Sequence, residues 1–240
     1  MNNLNQATQV ALSLFTEKFN GLLNKFSQNS LNKNLNAEPK SLNEFPGRFS
    51  LAISYFEKQL EDIYEWLFRS GETSNFTYDI TETNKDYLSC LMSVVLGIPR
   101  EKVDIYIREL NQDQQLKNHV SSLAHSGNFY MGIDKSFDFG RRLGWYVVAR
   151  AIKPHIIVET GVEQGLGSVV LCSALLKNAQ EGAPGKYYGT DINTQAGYLL
   201  KGEYATVGEI LYGDSIKTLT NFNKRIDLFI NDSDHSAEYE

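Results

Sequence analysis

His155-Ile156-Ile157-Val158-Glu159-Thr160-Gly161-Val162-Glu163-Gln164-Gly165-Leu166-Gly167-Ser168 is the stretch that decides how this chain folds. Ile156-Ile157-Val158 reads as a short buried strand that closes on an acid, Glu159. A turn carrying three glycines follows, then a small-residue helix over Ser168–Asn178. Glycines at such a turn let the backbone pass close beneath a ligand and let the helix start tight against the strand. Taken alone, the same turn could also bind nothing.

Downstream, the pattern repeats. A second strand, Lys186–Thr190, ends in Asp191, and a third, Glu209–Tyr212, ends at Gly213-Asp214-Ser215. A fourth, Ile226–Ile230, ends at Asn231-Asp232-Ser233-Asp234-His235. Continuously apolar strands separated by helices predict a parallel α/β sheet. In such sheets ligands lie outside the carboxyl ends of the strands. All four strand ends here carry acids or glycine, so the ligand is expected at that edge.

Upstream, the pattern is helical. A helix over about 137–152 stops at Lys153-Pro154, as proline requires, and others are expected at Asn84–Leu96, Arg100–Gln112 and about 114–125. His119 and His125 lack metal-pair spacing and read as structural or solvent-facing. Between residues 46 and 70, Phe49, Ala52, Ile53, Phe56, Leu60, Ile63, Tyr64 and Leu67 form an apolar stripe. It is expected to pack on its own domain or on a second copy, which would make a homo-oligomer through the N-terminal helices. Its acidic polar face, with Glu57, Glu61, Asp62 and Glu65, disfavours anionic lipid. Residues 1–45 hold one amphipathic helix, through Ala11, Leu14, Phe15, Phe19 and Leu22, and an asparagine-rich linker over 27–43. The organisation is therefore 1–45, 46–135 and 136–240.

Composition narrows the function. The 240 residues are 42% hydrophobic and 22% charged, which excludes collagen-like, coiled-coil and fully disordered chains. A net charge of −6 argues against a nucleic-acid partner, which needs a basic face. Two cysteines, Cys90 and Cys172, make neither a disulfide framework nor a zinc cluster and point to a reducing cytoplasm. Neither a signal peptide nor a membrane-spanning run is legible.

Each strand end has a chemical and a structural reading. Asp191, 24 residues after Gly167, can accept hydrogen bonds from both hydroxyls of a ribose or cap a helix from Thr194, and the ribose role is favoured beside the glycine turn. Asp214 and Ser215 can hold an adenine amine or cap Ile216–Asn221. Asp232, Asp234 and His235 can bind a divalent ion such as magnesium, orient a substrate, or supply a general base. Local turn chemistry accounts for some of them but less readily for His235.

From about Ser136 onward the chain resembles the class I S-adenosylmethionine-dependent methyltransferases. The resemblance rests on the turn V-E-T-G-V-x-x-G, here Val158 to Gly165, and the fourth strand D-L-F-I-x-D-S-x-H-S, here Asp227 to Ser236. It implies a Rossmann-like sheet, with Gly161, Gly165, Gly167 and Ser168 at the methionine part of the cofactor and Glu159 beneath it. It further implies Asp191 on the ribose, Asp214 and Ser215 beside the adenine, and Asp232 near the methyl-transfer centre. Many relatives carry glycine where this chain has Glu163. The implied chemistry is in-line methyl transfer to an oxygen of a small molecule, with His235 as candidate base and Asp232 and Asp234 as its support or as metal ligands.

Two other readings stand beside this one. A short-chain dehydrogenase would share Thr160-Gly161-x-x-x-Gly165-Leu166-Gly167 and could use Asp191 for NAD, but Tyr198 and Lys201 are three apart where a Y-x-x-x-K pair needs four. The family implies seven strands and only four are legible, which leaves Ile226–Ile230 as an exposed apolar edge. The second reading is accordingly a shortened, inactive module that binds the cofactor or a partner.

Overall fold

The computed structural model describes residues 80–124, 139–234 and 236, together with isolated helical residues between 13 and 63. The chain divides into two units, Met1–Asp62 and Ile63–Glu240. In the first, Ser54 Oγ donates to the Leu51 carbonyl at 2.9 Å, an ordinary helical back-bond. The linker over 27–43, and most of the helix before it and of the 49–67 stripe, lie outside the described residues.

The second unit begins, among the described residues, with four helices. They are α1 (Glu82–Leu96), α2 (Arg100–Asn111), α3 (Gln114–Ala124) and α4 (Arg142–Ile152). Thr81 caps α1, its hydroxyl accepting from Asn84 N, and Gly97 in the left-handed conformation ends it. The chain then alternates as β1 (Ile156–Thr160), α5 (Leu166–Gln180), β2 (Lys186–Asp191), a short 3₁₀ turn at Tyr204–Thr206, β3 (Gly208–Tyr212), α6 (Ser215–Thr220) and β4 (Leu228–Asn231). All pairings are parallel, in the order β3-β2-β1-β4. This is the expected α/β sheet, with strand ends within two residues of those read from sequence. Among the described residues β4 is an edge strand, and Phe229 on it is half exposed.

α5 packs on β2 and on α4, and α4 packs in turn on α1 and α2. Because α5 lies between layers, it is buried through Leu166–Leu175 and apolar on nearly every side. Arg150 of α4, almost fully buried, binds Glu109 of α2 at 2.6 Å, Glu181 beyond α5 at 2.6 Å, and Asn178 of α5. Tyr146 donates to the same Glu109 at 2.5 Å. This buried charge is acceptable because each of these partners satisfies it. His119 keeps its structural reading: its Nε2 lies 2.8 Å from the Leu199 carbonyl and its ring stacks edge-on against Tyr204.

Candidate functional site

Strand register builds the site. Thr160 of β1 is level with Thr190 of β2 and Asn231 of β4. One residue further along each strand, Asp191, Gly161 and Asp232 therefore stand in a row at the carboxyl edge. Gly161 lies between the two acids at φ +78°, and a Cβ there would collide with the backbone of Asp232 and Ser233. Only glycine fits this position, for both reasons at once.

The turn after β1 is locked from β2. Asp191 Oδ2 accepts from the backbone N–H groups of Val162 (3.0 Å) and Glu163 (2.9 Å), and its Oδ1 accepts from Asn193 N (2.8 Å). No helix starts at Thr194, so Asp191 caps the glycine turn and its own loop rather than a helix. Glu163 itself sits in the left-handed region at φ +51°. A side chain in that region costs about 1 kcal/mol relative to glycine. Gly197 N donates to the Glu163 carbonyl at 2.7 Å, stacking the loop after β2 on the turn.

A cleft of about 350 Å³ opens over this row, lined by Arg141, Arg142, Glu159, Gly161, Val162, Glu163, Asp191, Asn193, Asp232 and Ser233. At its base Glu159 is almost completely buried. Burial pushes its carboxyl up to about 7, against the pull of a hydrogen bond from Tyr187 and the charge of Arg142. Asp232 is held bidentately by Arg141, whose Nη2 lies 3.1 and 3.0 Å from the two carboxylate oxygens. Ser233 Oγ donates to Asn231 Oδ1 at 3.0 Å, and Thr160 Oγ1 donates to the same oxygen at 2.7 Å, which closes the wall between β1 and β4.

The cleft thus brings together Glu159, Gly161, Asp191 and Asp232 of the residues singled out from sequence. The others are placed elsewhere. A Cβ at Gly165 would come within 3.0 Å of the Gly197 backbone, and Gly167 lies against the Glu159 carboxylate and Trp145. Ser168 is fully buried with its hydroxyl 2.7 Å from Tyr187 OH. Asp214 caps α6, accepting from Ile216 N at 2.9 Å, and Ser215 is the first residue of that helix. Asp234 accepts from Ser236 N at 2.9 Å in a local turn. His235 lies outside the described residues.

Among the described residues the donor set does not fit a divalent ion. Asp232 is occupied by Arg141 and Asp234 by Ser236, and no cluster of three potential ligands exists among the described residues. For S-adenosylmethionine the fit is better: the cleft of about 350 Å³ is lined by the glycine turn and by the Glu159 and Asp191 carboxylates. Sequence reading missed Arg141, Arg142, Asn193 and Ser233. The one signal for the arginines was two adjacent bases opening an apolar helix in a net-acidic chain.

Residues 158–240 match the family model described as a methyltransferase domain. Among solved structures, one described as "cmcI-N160 SAH" is 18% identical with a TM-score of 0.33, over 48% of this chain and 58% of that one. Another, described as a candidate O-methyltransferase from Klebsiella pneumoniae, is 13% identical with a TM-score of 0.31, over 62% of this chain and 60% of that one. The chain thus spans about three fifths of each of these structures. No curated protein matches it. Residues 158–240 thus resemble a methyltransferase domain, set on a parallel β3-β2-β1-β4 sheet with a glycine turn after its first strand.

Proposed function

We propose that this chain binds S-adenosylmethionine in the cleft and transfers its methyl group to an oxygen of a small molecule. The observation that carries this reading is the convergence of Glu159, Gly161, Asp191 and Asp232, from three strands, on one cleft at the carboxyl edge of the sheet. When bound, the cofactor supplies a methyl group made electrophilic by the adjacent sulfonium.

The chain's own residues position and screen. Asp191 holds the glycine turn and offers its carboxylate to a ribose. Glu159 takes the base of the cleft, where a carboxylate suits the ammonium of the methionine part. Asp232 and its Arg141 partner form the acceptor side. His235, next after Asp234 in the sequence, is assigned the acceptor proton, and that place in the sequence is what supports this. No role is given to a metal.

A small-molecule acceptor fits the net charge of −6, which disfavours nucleic acid. Among the described residues no helix is long and apolar enough to cross a membrane. Cys90 and Cys172 are both free thiols, in keeping with a reducing compartment such as the cytoplasm.

Calorimetric titration with S-adenosylhomocysteine tests the reading, on the wild type and on Asp191→Ala. Micromolar binding that the substitution abolishes supports it. A folded wild type that binds nothing overturns it.

A further inference from the structure

Two elements, β2 and α5, converge on one buried carboxylate of β1. Tyr187 of β2 places its hydroxyl 2.5 Å from Glu159 Oε2, donating to it. Ser168 of α5 lies 2.7 Å from the same hydroxyl. Gly167 keeps the space open, because a Cβ there would run into Glu159 Oε1 and the Trp145 ring. Tyr187, Ser168 and Glu159 are all buried, yet Glu159 also lines the cleft.

We propose that Tyr187 is a positioning residue for cofactor binding: with Ser168 behind it, it fixes the Glu159 carboxylate, in its ionised form, toward the ammonium of the cofactor's methionine part. This rests on the cofactor reading above. An acceptor-only carboxylate needs a donor on the oxygen that faces the protein, so that the other is left for the ligand.

The consequence is visible in pH. The groups facing Glu159 are Tyr187 of β2, Ser168 and Cys172 of α5, Arg142 of α4 and Asp232 after β4. Burial and Asp232 hold the carboxyl toward its neutral form, while Tyr187, Ser168 and Arg142 favour the ionised one. Ionisation near pH 7 therefore gates binding, and removing the tyrosine hydroxyl moves that gate upward.

The test is titration of the full chain with S-adenosylhomocysteine between pH 6 and 8.5, for wild type and Tyr187→Phe. The wild type is expected to weaken as pH falls through about 7. In Tyr187→Phe the midpoint is expected to rise by about one pH unit, so that affinities differ nearly tenfold at pH 6.5 and by less than about twofold at pH 8.5. A merely structural tyrosine would lower affinity by one factor at every pH, and that result overturns the proposal, as does an unshifted midpoint. Should Tyr187→Phe not fold, Ser168→Ala carries the same test with a smaller upward shift expected and an unshifted midpoint overturning it. A wild type that binds at no pH sinks the cofactor reading itself, which separates the two failures.

Discussion

Arg141 and Asp232, 91 positions apart in sequence, meet in a two-oxygen contact at 3.0 and 3.1 Å. The pair ties the start of α4 to the loop leaving β4, across the mouth of the cleft. It also places a guanidinium where a divalent ion on Asp232 would have to sit.

The first prediction concerns that competition. Manganese, followed by electron paramagnetic resonance, is expected to bind the wild type no tighter than about the millimolar range, and Arg141→Ala at least about tenfold more tightly. Arg141 is about half exposed, so its removal is expected to lower stability by only about 0.5–1 kcal/mol in urea melts.

Glu159 gives a stability prediction with a defined sign. Its folded-state pKa, about 7, lies above the ordinary value of 4.5. The proton-bound form is therefore favoured by folding, and its contribution is complete below about pH 4.5 and lost as pH rises through 7. Above pH 7 the native state carries a buried charge that costs on the order of 3 kcal/mol. Glu159→Gln, which keeps an oxygen for Tyr187, is expected to melt higher than wild type at pH 8 and to lose that advantage by pH 5. Equal melting temperatures at pH 8 would contradict it.

Gly161→Ala should disable the site by geometry alone. The added methyl meets the Asp232 backbone, which cannot move without breaking the β1–β4 ladder, and φ is +78°. A loss of at least about 2 kcal/mol in stability is expected, with homocysteine-product binding abolished. Gly182→Ala, at φ +84° but with nothing near its Cβ, should cost only about 1 kcal/mol and leave binding intact.

The helical layer has its own weak point. Arg150→Ala removes the buried cation that pairs with Glu109 and the donor to Asn178 Oδ1, and is expected to cost about 3 kcal/mol. Arg150→Met, which refills the volume, should cost clearly less, and a denaturant series on both variants would decide it.

The alternation of buried strands and helices from Ile156 to Asn231 was legible because parallel strands covered on both faces must be apolar throughout. So were Glu159, Gly161, Asp191 and Asp232, since a strand's end is a local property and the carboxyl edge is where ligands go. Asp214 was less readable: a capping acid and a ligand acid look the same in sequence, and here the carboxylate accepts from Ile216 N. The apolar stripe near residues 49–67, and His235, lie outside the described residues.

Local pattern by itself determined the α/β class, the glycine turn and the row of acids, because each depends on residues within a few positions of one another. Register and packing alone decided that Arg141 reaches Asp232, that Gly167 makes room for Glu159 rather than facing the cleft, and that Tyr187 meets Glu159 from a neighbouring strand. The two hydrogen bonds among those contacts join residues 28 and 91 positions apart, and only burial and strand pairing bring such distant side chains within reach.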